Sequence, residues 1–429
     1  MYTDNRPTRV RWTLFFIIFA LVVINLIDRV SLSIAMPTIA AEFNLSPTLQ
    51  GVILSCFFWA YALLQLPGGW LIDRYGPRRM ITFSTFFWGI FQTLAALATG
   101  GISLLLSRVM LGAAEAPLFP AGGKLNAMWL SANERGRGAV LMDCGGPIGA
   151  ALGGLIIAHL IVMLGSWRLV FAITGVATLL MSWVAWRWLR DDPAQHPEVN
   201  TAERALIAAG APPAEAAAGP VTRGFGIAKP TLMAMLTGRA AWAMMFFGLL
   251  TWGPSYLAHA RGFELIAIGN ATFIIFLCGA VGSLSGGFLL DALVKRGMKH
   301  GRALKGLLSI SGMMALVAFL SLPYLRSPIA AVAVLCIAAF FLMWGSLYWS
   351  LPALLTTKEK MGLAGGAMNM AGSVGGIVVP LLVGIMLQLG VHYDSIPLFF
   401  AGCSAVYVLG TALIGIQQRA EVTTCITVR

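Results

Sequence analysis

The sequence predicts an all-α membrane protein of twelve transmembrane helices arranged as two six-helix bundles. Hydrophobic residues make up 58% of the 429 and charged residues only 11%, where a soluble globular chain carries about 25% charged residues. So few charges leave too little polar surface to coat a water-soluble body. Apolar runs of about 20 residues, each long enough to cross a bilayer as a helix, recur along the whole chain. The chain also divides into two halves that echo each other across a polar centre.

The expected spans are 13–36, 50–71, 81–99, 103–125, 138–161, 167–189, 236–257, 267–289, 306–323, 328–350, 362–386 and 395–416. The first is too long for the apolar core of a cleaved leader and carries Asn25, Asp28 and Arg29. These three stand at i, i+3 and i+4, so they form one polar stripe on an otherwise apolar helix. Ionisable groups in lipid are costly, which makes each a functional candidate by default.

After the second span comes a run with Gly69, Asp73, Arg74, Gly76, Arg78 and Arg79. A weaker copy follows the eighth span, with Gly287, Asp291, Lys295, Arg296 and Gly297. Asp73 and Asp291 occupy equivalent places in a six-plus-six layout. Such a loop reads as a conformational latch: glycines permit a tight turn, Asp73 caps a neighbouring helix, and the arginines pair with carboxylates in one conformation only. Parallel repeats of this kind place a binding site near the midplane between two bundles.

The fourth span holds Arg108 and Glu115, seven residues apart on one face and about 10 Å apart along the axis. Pro117 and Pro120 follow and are expected to bend the helix. Burial disfavours a charged Glu115, and a nearby arginine favours it. A partner that comes and goes would let this acid load and release a proton. Asp143 reads as an acid near the start of the fifth span, paired with the 133–137 loop.

Residues 190–235 form a polar central segment with Asp191, Asp192, Pro193, His196, Pro197 and a surface helix near 201–210. The domains expected are therefore 1–189, the linking 190–235 and 236–429. In the eleventh span a stripe of small residues surrounds Asn369, whose amide both donates and accepts. Tyr61, Trp252, Tyr256, Tyr348 and Trp349 are candidate aromatic walls.

The net charge of +12 does not indicate nucleic acid, because of where it lies. With the termini inside, all but five of the 29 lysines and arginines fall on the cytoplasmic side. Arg168, Arg261 and Arg326 fall outside, and Arg29 and Arg108 within spans. This is the bias that orients membrane helices, with both ends cytoplasmic. The six cysteines lack paired spacing and read as small buried hydrophobes. No metal-ligand pattern, nucleotide loop or cofactor motif is present, so an ion gradient is the expected energy source. No enzyme constellation is found, and a functional monomer is expected.

The 69–79 run resembles the signature of the major facilitator superfamily. Together with Asn25, Asp28, Arg29, the Arg108–Glu115–Pro117–Pro120 run, Glu134, Arg135, Gly136, Thr251, Trp252, Pro254 and Tyr256, it resembles the anion:cation symporter family. That group includes bacterial sugar-acid carriers and animal sialin. The resemblance implies proton-coupled symport of a small organic anion across a bacterial inner membrane. It implies Asp28 and Glu115 as proton-coupling acids and Arg108 as partner of the coupling acid. It further implies Arg29 as the clamp on the cargo carboxylate and Asn369 as a cargo contact. Sugar-acid members often carry tyrosine where Leu26 stands and a polar residue near Gly145 and Gly146, so a poorly hydroxylated or aromatic carboxylate is expected. A sugar-acid symporter and a drug/proton antiporter of the same fold are the alternatives.

Overall fold

The computed structural model describes residues 6–131, 134–209, 225–356 and 358–415. Among these it is all helical. Seven helices lie before the central segment: α1 (Val10–Phe43), α2 (Pro47–Tyr75), α3 (Pro77–Ala95), α4 (Gly101–Glu115), α5 (Leu118–Trp129), α6 (Arg135–Leu164) and α7 (Trp167–Trp188). The short surface helix α8 (Thr201–Ala209) follows. The second half comprises α9 (Lys229–Arg261), α10 (Leu265–Lys295), α11 (His300–Ser321), α12 (Pro328–Leu342), α13 (Leu351–Leu355), α14 (Lys358–Gln388) and α15 (Ile396–Leu413). A 3₁₀ stretch, Met343–Ser350, joins α12 to α13. The Ala/Pro/Glu stretch through Pro220 lies outside the described residues.

Local chemistry sets the turns. Ser46 accepts from the Leu49 amide and Pro47 opens α2; Ser327 and Pro328 do the same for α12. Asn44, Gly165 and Gly262 adopt left-handed conformations that stop α1, α6 and α9. The fourth span breaks where the prolines predict: α4 ends at Glu115 and α5 restarts at Leu118.

Eleven helical segments among the described residues are long and apolar enough to cross a bilayer. The twelfth span is α3, whose inward face is polar: Thr82, Ser84, Thr85 and Gln92 are all buried. Large apolar side chains such as Phe16, Leu63, Trp183, Phe288 and Leu409 point outward, the surface that a lipid solvent requires.

Pairing within the halves repeats. In the first, α1 packs on α6, α2 on α4, and α3 on α7. In the second, α9 packs on α14, α10 on α12, and α11 on α15. The halves meet through α2 against α14 and α6 against α10. The described chain ends and the central segment share one end of the molecule, joined by Thr8 with Asn200 and Glu203 and by Gly415 with Thr231.

Close approach between the halves concentrates toward the opposite, far end. A Cβ on Gly154 of α6 would lie 2.7 Å from the Thr272 side chain and 3.2 Å from the Gly269 carbonyl oxygen of α10. The Ser55 hydroxyl of α2 donates to the Ile377 carbonyl of α14 at 2.7 Å. Nearer the loop end, the Asn369 amide of α14 donates to Gln65 Oε1 of α2 at 2.7 Å.

Candidate functional site

The polar stripe of α1 divides between two environments. Asp28 is fully buried inside the first bundle. Its Oδ2 accepts from Trp88 Nε1 of α3 at 2.8 Å and from the Thr178 hydroxyl of α7 at 3.1 Å. From α3, Trp88 is the residue that bonds this acid. Gln92 extends the network by donating to Ser31 and Thr174. The donors around Asp28 are neutral, and no ion pair reaches it among the described residues.

Arg29 turns toward the space between the bundles. Its Nε donates to Glu115 Oε2 at 3.0 Å, an ion pair whose acid is fully buried. Its guanidinium lies 4.5 Å from the Phe57 ring and 4.9 Å from the Tyr61 ring, which are stacked on each other. Its Nη2 has no hydrogen-bond partner. Arg108, whose guanidinium lies 5.6 Å from the same Phe57 ring, leaves Nε and Nη1 unpartnered. A buried guanidinium without acceptors is costly unless water or an anion fills its donors. Asn25 stands beside Glu115 without a formed hydrogen bond.

Arg29 and Arg108 line a narrow inter-bundle space together with Ser33, Leu54, Phe57, Phe58, Leu250 and Thr251. The resemblance implies Arg108 as the partner of the coupling acid. The direct bond to Glu115 comes from Arg29, because Glu115 sits at the end of α4 and faces α1, while Arg108 lies close enough to act on it through its field. The resemblance assigns Arg29 to the cargo, and here it also holds the acid.

Asn369 links the bundles through Gln65, which the sequence reading missed. Tyr61 is a wall beneath Arg29. Tyr348 and Trp252 lie elsewhere. Tyr348 is fully buried, bonded to the Thr411 hydroxyl at 2.9 Å and packed on Tyr407. Trp252 donates to the Pro380 carbonyl at 3.1 Å and lines an apolar hollow of the second bundle with Phe319 and Phe400. Neither lines the space beside Arg29 and Arg108.

The loop motif also differs from expectation. Asp73 caps no helix: it pairs with Lys124 of α5 at 2.8 Å. Gly76 turns at φ +86°, and a Cβ there would lie 2.5 Å from Asp191 Oδ2. The Arg78 amide donates to Asp191 Oδ1 at 2.7 Å, and its guanidinium bonds the Trp186 carbonyl. The loop is therefore fastened to the end of its own bundle. Gly69 has open space beside it, Arg74 lies over Trp70, and Asp291 is exposed. Nearby, Arg11 bridges Glu134 and the buried Glu203 at 3.0 and 2.7 Å. Burial would raise Glu134, but its bonds from Arg11 and Ser131 outweigh that and hold it below the usual carboxylate range.

Two residues need correction. Asp143 is not near a helix start, since α6 begins at Arg135, two turns earlier. Arg239, counted with the loop-side cations, lies well inside α9 and is 7% exposed.

Two helix bundles with matching internal pairings, and the Arg29–Glu115 pair bordering the space between them, have the architecture of a membrane transporter. The Major Facilitator Superfamily pattern matches residues 18–380, and the chain belongs to that family. It is 32% identical to the probable galactarate/D-glucarate transporter GarP of Escherichia coli K12, covering 94% of each chain. It is 31% identical to the D-galactonate transporter of Escherichia coli O6:H1, covering 96% of this chain and 95% of that one. A crystal structure of a bacterial homologue of the human lysosomal transporter Spinster, inward-facing and occupied, shares the fold with a TM-score of 0.72 at 18% identity. It covers 95% of this chain and 96% of that one.

The far-end contact offers a direct test. Gly154→Leu is expected to force α6 and α10 apart, because even a Cβ there collides with Thr272. In a cysteine-free background, Ser33→Cys should then label at least fivefold faster with an impermeant maleimide from the far side. Unchanged labelling would show that this contact is not the far-end gate.

Proposed function

We propose that this protein is a proton-coupled symporter of a small organic anion, working by alternating access in a bacterial inner membrane. The observation that carries the reading is the Arg29–Glu115 pair beside an unpartnered Arg108 in the inter-bundle space. A proton on Glu115 removes its charge and releases the Arg29 fork. A cargo carboxylate then takes the vacated donors, with Arg108 adjacent. Proton and anion therefore each favour binding of the other, as linkage requires. Asp28 is the second acid of the coupling set, held by neutral donors that do not depend on cargo. Asn369 and Tyr61 complete the cargo wall. The cation-rich loop end is assigned to the cytoplasm, so the far-end contacts correspond to a carrier closed to the outside.

The relatives named for galactarate, glucarate and galactonate favour a second reading of the cargo, a sugar acid. Leu26 and Gly145 support this indirectly. A Cβ on Gly149 of α6 would meet Leu26, and one on Gly145 would meet Val22 of α1. Both residues thus sit in the α1–α6 seam, so their apolar character does not describe the cargo wall. Gly146 alone borders open space.

In proteoliposomes, an inward proton gradient is expected to drive accumulation of a labelled sugar acid or other carboxylate, and a protonophore should abolish it. Uptake insensitive to the gradient rejects the coupling. Competition by D-glucarate against benzoate separates the two cargo readings.

A further inference from the structure

Arg239 is the one charged residue that the second half buries fully among the described residues, and nothing in the coupling site uses it. Its Nε and Nη1 have no hydrogen-bond partner. Its guanidinium lies 4.1 Å from the Trp242 ring and 5.1 Å from the Trp349 ring. Indole faces attract a cation but leave its N–H edge unsatisfied. The largely covered Arg261 is different, since it pairs with Asp394 at 3.0 Å and bonds the Tyr256 hydroxyl.

The position relative to Arg29 follows from α14. Gly376 packs on the Phe58 ring, over which Arg29 lies at 6.0 Å. Gly372, one turn toward the loop end, faces Arg239, and a Cβ there would lie 3.7 Å from Nε. Arg239 and the Phe58 ring beneath Arg29 therefore meet the same helix one turn apart. One belongs to each bundle. Asp143 of α6 is the carboxylate whose field reaches Arg239, yet the two form no ion pair. Asp143 is itself exposed.

We propose that Arg239 is a second anion-binding residue, so that the preferred cargo carries two acidic groups, one held by Arg29 and Arg108 and the other by Arg239. This rests on the symport reading above. A dianion spanning the seam draws the bundles together, which a monoanion held on one bundle does not. Asp143 competes for Arg239 from the first bundle and limits how tightly the second group is held.

The test is tryptophan-fluorescence titration of the purified full chain with matched pairs: D-glucarate and D-gluconate, succinate and butyrate, phthalate and benzoate. At least one diacid is expected to bind tenfold or more tightly than its monoacid. Arg239→Gln should reduce that preference to about one, Arg239→Lys should keep part of it, and Asp143→Asn should tighten the diacid severalfold. Thermal melts of each variant report folding separately. A purely structural Arg239–Asp143 pair predicts instead that Asp143→Asn weakens the diacid, which overturns the proposal. It is also overturned if no diacid outbinds its partner, or if the preference survives Arg239→Gln. Proton-driven uptake of monoacids without any diacid preference would sink this inference and leave the symport reading standing. Binding and proton-driven uptake of no acid at all would sink that reading itself.

Discussion

Glu115→Gln is expected to abolish gradient-driven accumulation while preserving counterflow exchange. Glutamine keeps the shape of the side chain and an oxygen that can accept from Arg29 Nε, now 3.0 Å from the acid. It cannot take up or release a proton. Arg29 would therefore stay weakly held in every step, and the carrier would exchange cargo for cargo without sensing pH. For electroneutral symport, a one-unit pH difference supports about tenfold accumulation per coupled proton, since one pH unit is about 1.4 kcal/mol. The variant should fall to a ratio of about one. The folding cost should be modest, about 1–3 kcal/mol, because the guanidinium loses an ionised partner but retains an acceptor. Uptake under imposed gradients and exchange at equal pH, measured on the same vesicles, separate the two activities. Accumulation at the wild-type ratio would make Glu115 a structural residue.

The spans were legible because lipid imposes a long apolar run on each of them. The break after Glu115 was legible because Pro117 and Pro120 cannot continue a regular ladder. Which face each polar side chain uses was not legible. Asp28 and Arg29 are neighbours in sequence, yet one turns to Trp88 and Thr178 within its bundle and the other to the seam. That choice depends on α3 and α7, whose polar positions look like weak hydropathy until they are packed together. The Arg29–Glu115 pair joins residues 86 apart, which no spacing along a single helix reveals. Aromatic type alone gave Trp252 and Tyr348 equal standing with Tyr61, and only packing distinguishes them. Arg239 falls inside the expected span but close to its start, so it was counted with the loop cations; α9 begins seven residues earlier and carries it into the helix. Gln65 carried no signal, since a single amide one turn past Tyr61 acquires meaning only opposite Asn369.

Arg29→Ala is expected to reduce transport at least 100-fold, and it separates an anion symporter from a drug/proton antiporter of the same fold. An antiporter of cationic drugs needs a cavity acid but no anion clamp, so it would survive the change. Removing Arg29 also strands Glu115, whose carboxylate is fully buried. Breaking a buried pair on one side costs about 3–5 kcal/mol, so lost transport from this variant alone is ambiguous. The double variant Arg29→Ala/Glu115→Gln removes the stranded charge and should recover most of the melting temperature. Its transport should stay as low as that of the single variant, because no fork remains for the carboxylate beside Phe57 and Tyr61. Arg29→Lys should recover only part of it, since an ammonium restores charge without the planar two-donor edge. Full transport by a well-folded double variant would move the clamp to Arg108, whose Nε and Nη1 are already without partners. The distinction matters for coupling. If Arg29 alone serves both acid and cargo, the proton on Glu115 is what admits the anion; if Arg108 serves cargo separately, the two events share only a field.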